Sequence, residues 1–184
     1  MASYSSIVSQ KADPHYRSYM ATPDFILDLR AHVGTSLLWV PGCTAVVIKE
    51  EGEGAGSAEP QILVVRRADN LRWTLVTGII DPGEEPAIAA AREIWEETAV
   101  QARPRRLLGV EVVGPVTYDN GDESIYLDTA FAFEWESGDP FPADGENVEA
   151  RFVPVSGLPS MSPRFHRLVE RALSQQAEAS FVAP

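Results

Sequence analysis

Residues 78–100 read GIIDPGEEPAIAAAREIWEETAV, and they hold six acidic side chains against one basic side chain. The stretch from Gly78 to Gly83 indicates a loop, and Pro86 suits the first turn of a helix that we expect to continue through residues 87–98. Carboxylates at spacings of i, i+3 and i+4 share one face of that helix: Glu93, Glu96 and Glu97. On its other side, apolar side chains are expected to pack on a sheet: Ile88, Ala91 and Trp95, with Ile94 nearby.

A solvated acidic helix face is the ordinary interpretation of such a charge run, but two physical facts count against it. The helix dipole favours cations at the C-terminal end, where Glu96 and Glu97 lie. The like-charged pair Glu93–Glu97 costs roughly 0.2–0.5 kcal/mol, and Arg92 is the basic residue of the segment. Hard oxygen ligands on one face suit Mg²⁺ or Mn²⁺. Spacing alone therefore leaves both a solvated face and a divalent metal site open.

The segment resembles the box of the Nudix hydrolases, a 23-residue pattern of glycine, five residues, glutamate, seven residues, Arg-Glu, an apolar residue, any residue, Glu-Glu, any residue, glycine and an apolar residue. The matching positions are Gly78, Glu84, Arg92, Glu93, Ile94, Glu96, Glu97 and Val100. Ala99 departs from the pattern, since the family has glycine there. The frame around the box is also similar, in the Arg66-Arg67 pair, in Trp73 and in an acidic loop at residues 146–152.

The resemblance implies the α/β Nudix fold, a mixed β-sheet sandwiched between helices (α/β/α), with the box as a loop–helix–loop. We expect a single Nudix domain at residues 35–178, preceded by an N-terminal extension at residues 1–34 with one helix. A short C-terminal tail follows at residues 179–184. The helix of the extension is predicted at about Pro23–Val33, with Thr22 as its cap.

Apolar runs predict the strands of the sheet: Cys43–Lys49, Gln61–Arg67, Arg106–Val113, Ser124–Trp135 and Ala150–Val155. A short strand or a turn is expected at Trp73–Val76. Between the first two, the sequence EEGEGAGSAEP indicates a solvated hairpin loop because it is rich in glycine. The last helix is expected to begin with Ser162 as its cap and Pro163 at its first position.

By the resemblance, the chain is a hydrolase that cleaves the pyrophosphate of a nucleoside diphosphate linked to another group, X. It implies divalent metal binding, by Mg²⁺ with Mn²⁺ as an alternative, at Glu93, Glu96, Glu97 and the main-chain carbonyl of Thr77. Arg92 is expected to orient these glutamates, and Glu84 supports Arg92 or the metal. The general base is either a box glutamate or a later one, for which Glu149 and Glu146 are the candidates. The implied catalytic set is Glu93, Glu97, Arg92 and Glu149.

Two arginines and one tryptophan are candidates for substrate contacts. Arg66 and Arg67 suit phosphate, although arginines at strand ends are commonly just exposed, and Trp73 can stack on a base or pack in the core. The substrate range stays open among nucleoside triphosphates, ADP-ribose, nucleotide sugars and dinucleotides. Pro115 lies 15 residues past the box, a spacing associated with the ADP-ribose subgroup.

Two other functions remain as alternatives. A non-catalytic nucleotide-binding or regulatory Nudix module is one, although such modules usually lose box glutamates and none is missing here. The other is an enzyme like isopentenyl diphosphate isomerase, which shares the fold but depends on a cysteine after the tryptophan. The only cysteine, Cys43, comes before it.

The composition of the chain limits the classes of binding partner that we expect. The chain has 184 residues and a formal net charge of −12, which disfavours nucleic acid polymers and membrane surfaces but leaves a small nucleotide-type substrate open. One cysteine cannot form an intramolecular disulfide, and the polar N-terminus lacks a signal-peptide pattern. We therefore expect a cytoplasmic protein. Many members of the family are homodimers, and the sequence leaves this state open.

Overall fold

The computed structural model describes residues 22–50, 59–174 and 176–183. Three α-helices, seven strands and one short 3-10 helix succeed one another along these ranges. In chain order they are α1 (Asp24–Val33), β1 (Leu38–Lys49), β2 (Gln61–Arg67), β3 (Trp73–Thr74), β4 (Val76–Ile79), α2 (Pro86–Thr98), β5 (Gln101–Thr117), β6 (Glu123–Ser137), β7 (Asn147–Pro154), the 3-10 helix (Val155–Gly157) and α3 (Pro163–Leu173).

The seven strands form one mixed sheet. Its order is β3-β2-β1-β6-β5, with β4 paired to β1 and β7 paired to β2. Only β1 and β6 run parallel among these pairs. At the end of β1, Ile48 pairs with Ile62 of β2, whereas residues 42–45 pair with β4. The central strand β1 therefore pairs directly with β4, the strand in which the box begins at Gly78.

Each face of the sheet is covered by a helix. One core cluster joins Val47, Leu63 and Phe133 to Ala90 and Ile94 of α2. The other joins alternate residues of the same strands to α3; its members include Val46, Ile62, Val64, Leu108, Ala132, Leu168 and Val169. Because successive residues of a strand point to opposite faces, one apolar run supplies both cores. This arrangement confirms the predicted single α/β/α domain.

The face of α2 that contacts the sheet differs from the prediction. Ile88 and Trp95 were expected to pack there, but they are 45% and 52% exposed, so that expectation is wrong. Ile94 is buried and Ala91 packs against the core, as expected, and the other buried side chains of α2 include Ala89 and Ala90. Two small alanines allow the helix to lie close to the strands, and the rotation that this requires turns the bulky residues outward.

The bounds and caps of several elements differ in smaller ways from those predicted from the sequence. Gly78 lies within β4 rather than in a loop, and the helices α1 and α3 have no side-chain cap hydrogen bond, so Thr22 and Ser162 do not act as hydrogen-bonding caps. The strand Gln61–Arg67 is confirmed, while others extend beyond their apolar runs because they pair along their full length. Most of the predicted hairpin loop, residues 51–58, lies outside the described residues.

Both ends of the described chain are fixed to the sheet. Arg30 of α1 donates to the Glu123 carbonyl at 2.7 Å and to Ser124 Oγ at 3.2 Å. Near the C-terminus, the Ser180 amide donates to the Leu108 carbonyl at 2.9 Å, within the predicted tail. Among the helices that the structure describes, none is both long enough and apolar enough to cross a membrane.

Candidate active site

Gly78, the first residue of the box, lies against the face of α2 that holds Glu93. Gly78 pairs with Cys43 in the β1·β4 ladder, and a Cβ built on Gly78 would lie 2.1 Å from Cδ of Glu93. A Cβ at this position would displace the Glu93 side chain. Glycine therefore lets Glu93 lie directly against the strand.

Arg92 lies at the centre of an ion-pair network. Its guanidinium contacts both Glu84 oxygens, through Nε at 3.1 Å and Nη2 at 2.9 Å. Nη1 contacts Glu93 Oε1 and Glu96 Oε2, each at 2.9 Å, and Nη2 also donates to the Ile79 carbonyl at 3.1 Å. The planar fork of arginine suits such bidentate geometry. The network fixes the box loop to the helix and sets the directions of two carboxylates.

Glu97 lies outside this network and is more deeply buried. It is 4% exposed, and its Oε2 accepts a hydrogen bond of 2.8 Å from Nδ2 of Asn147, which is itself 5% exposed. Within the described ranges, no lysine or arginine forms an ion pair with Glu97. The Glu97 carboxyl group is therefore held by a neutral donor.

The electrostatics of these carboxylates follow from their surroundings. Burial raises the pKa of Glu93 to about 7, against the pull of Arg92. Burial and the neighbouring Glu93 raise the pKa of Glu97 well above its ordinary value, and Glu146 adds to this. For Glu84, the hydrogen bonds and charge of Arg92 outweigh burial and hold the pKa below its usual value. The network therefore satisfies Glu84 but leaves Glu93 and Glu97 short of positive charge.

The loop before β7 packs on the C-terminal end of α2. Amides of Phe141 and Ala143 donate to the carbonyls of Thr98 and Glu97 at 3.2 and 3.0 Å, which satisfies groups that a helix end leaves free. This brings Glu146 into the electrostatic environment of Glu93 and Glu97. Burial raises its own pKa, and Asp144 contributes.

Strand alternation separates the remaining predicted site residues. Arg67 continues the side of β2 that faces α2, and its guanidinium pairs with both oxygens of Asp69 at 3.0 Å, within electrostatic range of Glu146 and Glu97. Arg66 lies on the opposite face and pairs with Glu149 at 2.9 Å. The structure therefore places Arg67 on the same face of the sheet as the box carboxylates, and Arg66 and Glu149 on the other.

Trp73 also lies on the face of α3. It packs at the edge of that core, and the guanidinium of Arg151 lies 4.6 Å from its ring centroid. One side of the indole is thus already covered. Pro115, proposed above as a substrate marker, is exposed within β5.

The predicted metal ligands are near one another without forming a ready-made cluster. Over the described part of the chain, no group of three His, Cys, Asp or Glu side chains is arranged to hold an ion as it stands. The reason is that Glu93 and Glu96 each form an ion pair with Arg92. Thr77 lies in β4 opposite Thr44, one residue before Gly78. The donor set of oxygen atoms, with the ionised forms of Glu93 and Glu97 short of positive charge, nevertheless fits a hard divalent cation.

Two features escaped the sequence interpretation. Asn147 was not singled out, because a lone asparagine in an acidic loop carries no signal of burial. Ala99, noted only as a departure from the box, has φ 56° and ψ 20° as the C-cap of α2. This is the left-handed region that favours glycine. The backbone conformation therefore explains why the family pattern has glycine at this position.

The comparisons with known proteins agree with this geometry. The model of the NUDIX domain matches residues 40–173. The chain belongs to the NUDIX family. It is 38% identical over 65 residues to a MutT-like protein of Streptomyces ambofaciens, covering 35% of this chain and 37% of that protein. It is 30% identical over 132 residues to the NAD-capped RNA hydrolase NudC of Deinococcus radiodurans, covering 70% and 44%.

The NUDIX chain thus spans less than half the length of these two curated relatives. Among solved structures, the MutT NUDIX hydrolase from Burkholderia pseudomallei is similar with a TM-score of 0.54 and 22% identity, covering 73% of this chain and 98% of that one. At this identity the likeness shows the fold alone.

Proposed function

We propose that the chain is a divalent-ion-dependent pyrophosphohydrolase that acts on a nucleoside diphosphate linked to another group. The observation that carries this is the buried Glu97, held by the neutral amide of Asn147 beside Glu93. Two carboxylates that are short of positive charge are costly to maintain, and a divalent ion together with a phosphate substrate would relieve that cost.

Glu93, Glu96 and Glu97 are the residues that would hold the ion, with the Thr77 carbonyl as a further oxygen ligand. When bound, a divalent ion supplies charge that neutralises phosphoryl oxygens and activates water. Arg92 and Glu84 serve as positioning residues, because the fork of Arg92 sets the directions of Glu93 and Glu96. Mg²⁺ is the ion that we propose, with Mn²⁺ as a substitute.

For the general base we assign Glu146 in preference to Glu149. Glu149 is paired to Arg66 on the opposite face of the sheet. Glu146 shares the environment of the box carboxylates, and burial raises its pKa, which suits a group that accepts a proton near neutral pH. In this scheme Glu146 takes the proton of the attacking water, and Arg67 contacts a substrate phosphate.

The substrate class that we propose is a small nucleotide derivative rather than a nucleic acid polymer, because the chain carries a net charge of −12. The name of one relative, an NAD-capped RNA hydrolase, makes NAD a first choice. The single cysteine suits the cytoplasm. A homodimer stays a proposal that sedimentation would test.

A substrate panel with Mg²⁺ and with Mn²⁺ tests the activity, reading released phosphate, pyrophosphate and AMP. The panel holds ADP-ribose, a nucleotide sugar, NAD, a dinucleoside polyphosphate, nucleoside triphosphates and an NAD-capped RNA. Glu97→Gln should abolish turnover and keep the fold, while Glu123→Gln, at an exposed position on β6, should turn over normally. Tight nucleotide binding without turnover on any member would favour a binding module instead, and near-normal activity of Glu97→Gln would overturn the site.

A further inference from the structure

Asn147 and Glu97 form a buried pair that connects β7 to α2. Both side chains are almost completely excluded from water, and the Nδ2–Oε2 distance is 2.8 Å. A buried polar group is costly when it is left without a partner. Asn147 and Glu97 therefore fix each other's positions. Removing the amide would change the orientation of the Glu97 carboxylate.

A β-bulge directs the amide towards the helix. The pairing of β2 with β7 is regular as far as Arg66 and Glu149, but the next residue, Arg67, pairs with Asn147. Val148 is the extra residue, and it is 46% exposed. In a regular ladder Val148 would face Arg67 on the α2 side. The bulge exchanges an apolar side chain for an amide there, a known use of bulges beside functional sites.

The choice of an amide has an electrostatic consequence. Arg92 restrains Glu84, Glu93 and Glu96, and it neutralises part of their charge at the same time. An asparagine restrains a carboxylate through a hydrogen bond but adds no charge. A lysine or arginine at position 147 would compete with a cation, and an aspartate would repel Glu97.

We propose that Asn147 is a positioning residue for the divalent ion, because it holds the charged Glu97 carboxylate in the orientation from which it binds the ion. The inference rests on the proposed function, which supplies the ion. It concerns a residue outside the box, placed by the strand pairing of β7.

Mn²⁺ binding to the full chain tests this directly, with free Mn²⁺ followed by electron paramagnetic resonance. Asn147→Ala should weaken Mn²⁺ binding by roughly 10–100-fold, the usual effect of losing a group that orients a metal ligand. Asn120→Ala is the matched control, because Asn120 Nδ2 also donates to a carboxylate, Asp122 Oδ2 at 3.0 Å, at an exposed turn. That variant should bind Mn²⁺ like the native chain.

Turnover gives a second readout that a merely structural role would not produce. At saturating Mn²⁺, Asn147→Ala should recover most of kcat, while the Mn²⁺ concentration for half-activation rises by the same factor as the dissociation constant. Circular dichroism without metal should match the native spectrum. If Asn147→Ala does not fold, Asn147→Ser replaces it and should show the same weakened binding.

The outcomes separate the two proposals. If the native chain binds Mn²⁺ and hydrolyses a substrate but the folded Asn147 variant binds Mn²⁺ within about twofold of native, below the expected range, the role of Asn147 is overturned alone. If the native chain binds no Mn²⁺, the metal-dependent function fails and this inference fails with it.

Discussion

Glu93→Gln should remove a pH-dependent loss of stability from the ion-free protein. Burial raises the pKa of Glu93 to about 7, although Arg92 opposes this, whereas the ordinary value is 4.5. Between these two pH values the folded protein binds more protons at this site than the unfolded chain does. The free energy of unfolding therefore falls as the pH rises through this window.

The magnitude follows from the shift. One pKa unit corresponds to roughly 1.4 kcal/mol, so ionising Glu93 in the folded protein costs at most about 3 kcal/mol. The Glu93 side chain is 16% exposed, and contact with water reduces the cost below that limit. For a chain of this size about 1 kcal/mol shifts Tm by roughly 2–4 °C. Glutamine keeps the shape of the side chain and cannot ionise, so the variant avoids this loss.

The assay is urea unfolding in EDTA, followed by tryptophan fluorescence from about pH 5 to about pH 8, a range that covers the titration window. The difference between native and Glu93→Gln reports the titration of Glu93 together with its effect on Glu97, because the titrating groups that do not interact with Glu93 behave alike in both. Loss of the Glu93 charge also relieves Glu97, which acts in the same direction. Glu123→Gln, at an exposed position, should follow the native curve. Parallel curves for native and Glu93→Gln would refute the reasoning.

Further substitutions test the other contacts. Gly78→Ala should reduce turnover by about 100-fold with the fold retained, since its Cβ would displace Glu93; a kinetic assay beside circular dichroism checks this, and unchanged kcat would contradict it. Ala99→Gly should raise the unfolding free energy by about 1 kcal/mol in urea melts because it removes a left-handed alanine. Arg92→Lys should lower kcat by roughly 10-fold or more, as the guanidinium contacts are lost. Burial raises the pKa of Cys43, so Ellman's reagent should label this thiol only after denaturation.

Much of the fold was accessible from the sequence because its signals are local. The helix of the box follows from Pro86 and the spacing of the glutamates, and the confirmed strand β2 follows from an uninterrupted apolar run. The rotation of α2 was not accessible. Ile88 and Trp95 have greater hydrophobicity than the alanines that replace them in the core, so the pattern favoured the wrong face, and close approach to the sheet decided otherwise.

The site was partly accessible for the same reason. Each of these carboxylates lies within eight residues of Arg92 in the sequence, so spacing relates them. Arg66 and Arg67 are neighbours in sequence and yet lie on opposite faces of the sheet. A two-residue period predicts that separation, but only the packing of α2 shows which arginine shares a face with the carboxylates. Asn147 depends on a bulge in a distant strand pair, for which the sequence holds no local signal.

The carboxylates on α2 are held in two ways, by the charged guanidinium of Arg92 or by the neutral amide of Asn147. A cation that approaches Glu93 or Glu96 has to compete with Arg92, and each hydrogen bond to a charged group is worth about 1.5–3 kcal/mol. At Glu97 there is no such competitor among the described residues, since its donor is the neutral amide of Asn147. Glu97 should therefore dominate cation affinity, while the Arg92 contacts favour ions of higher charge, because a single positive charge compensates less for the contacts that are lost.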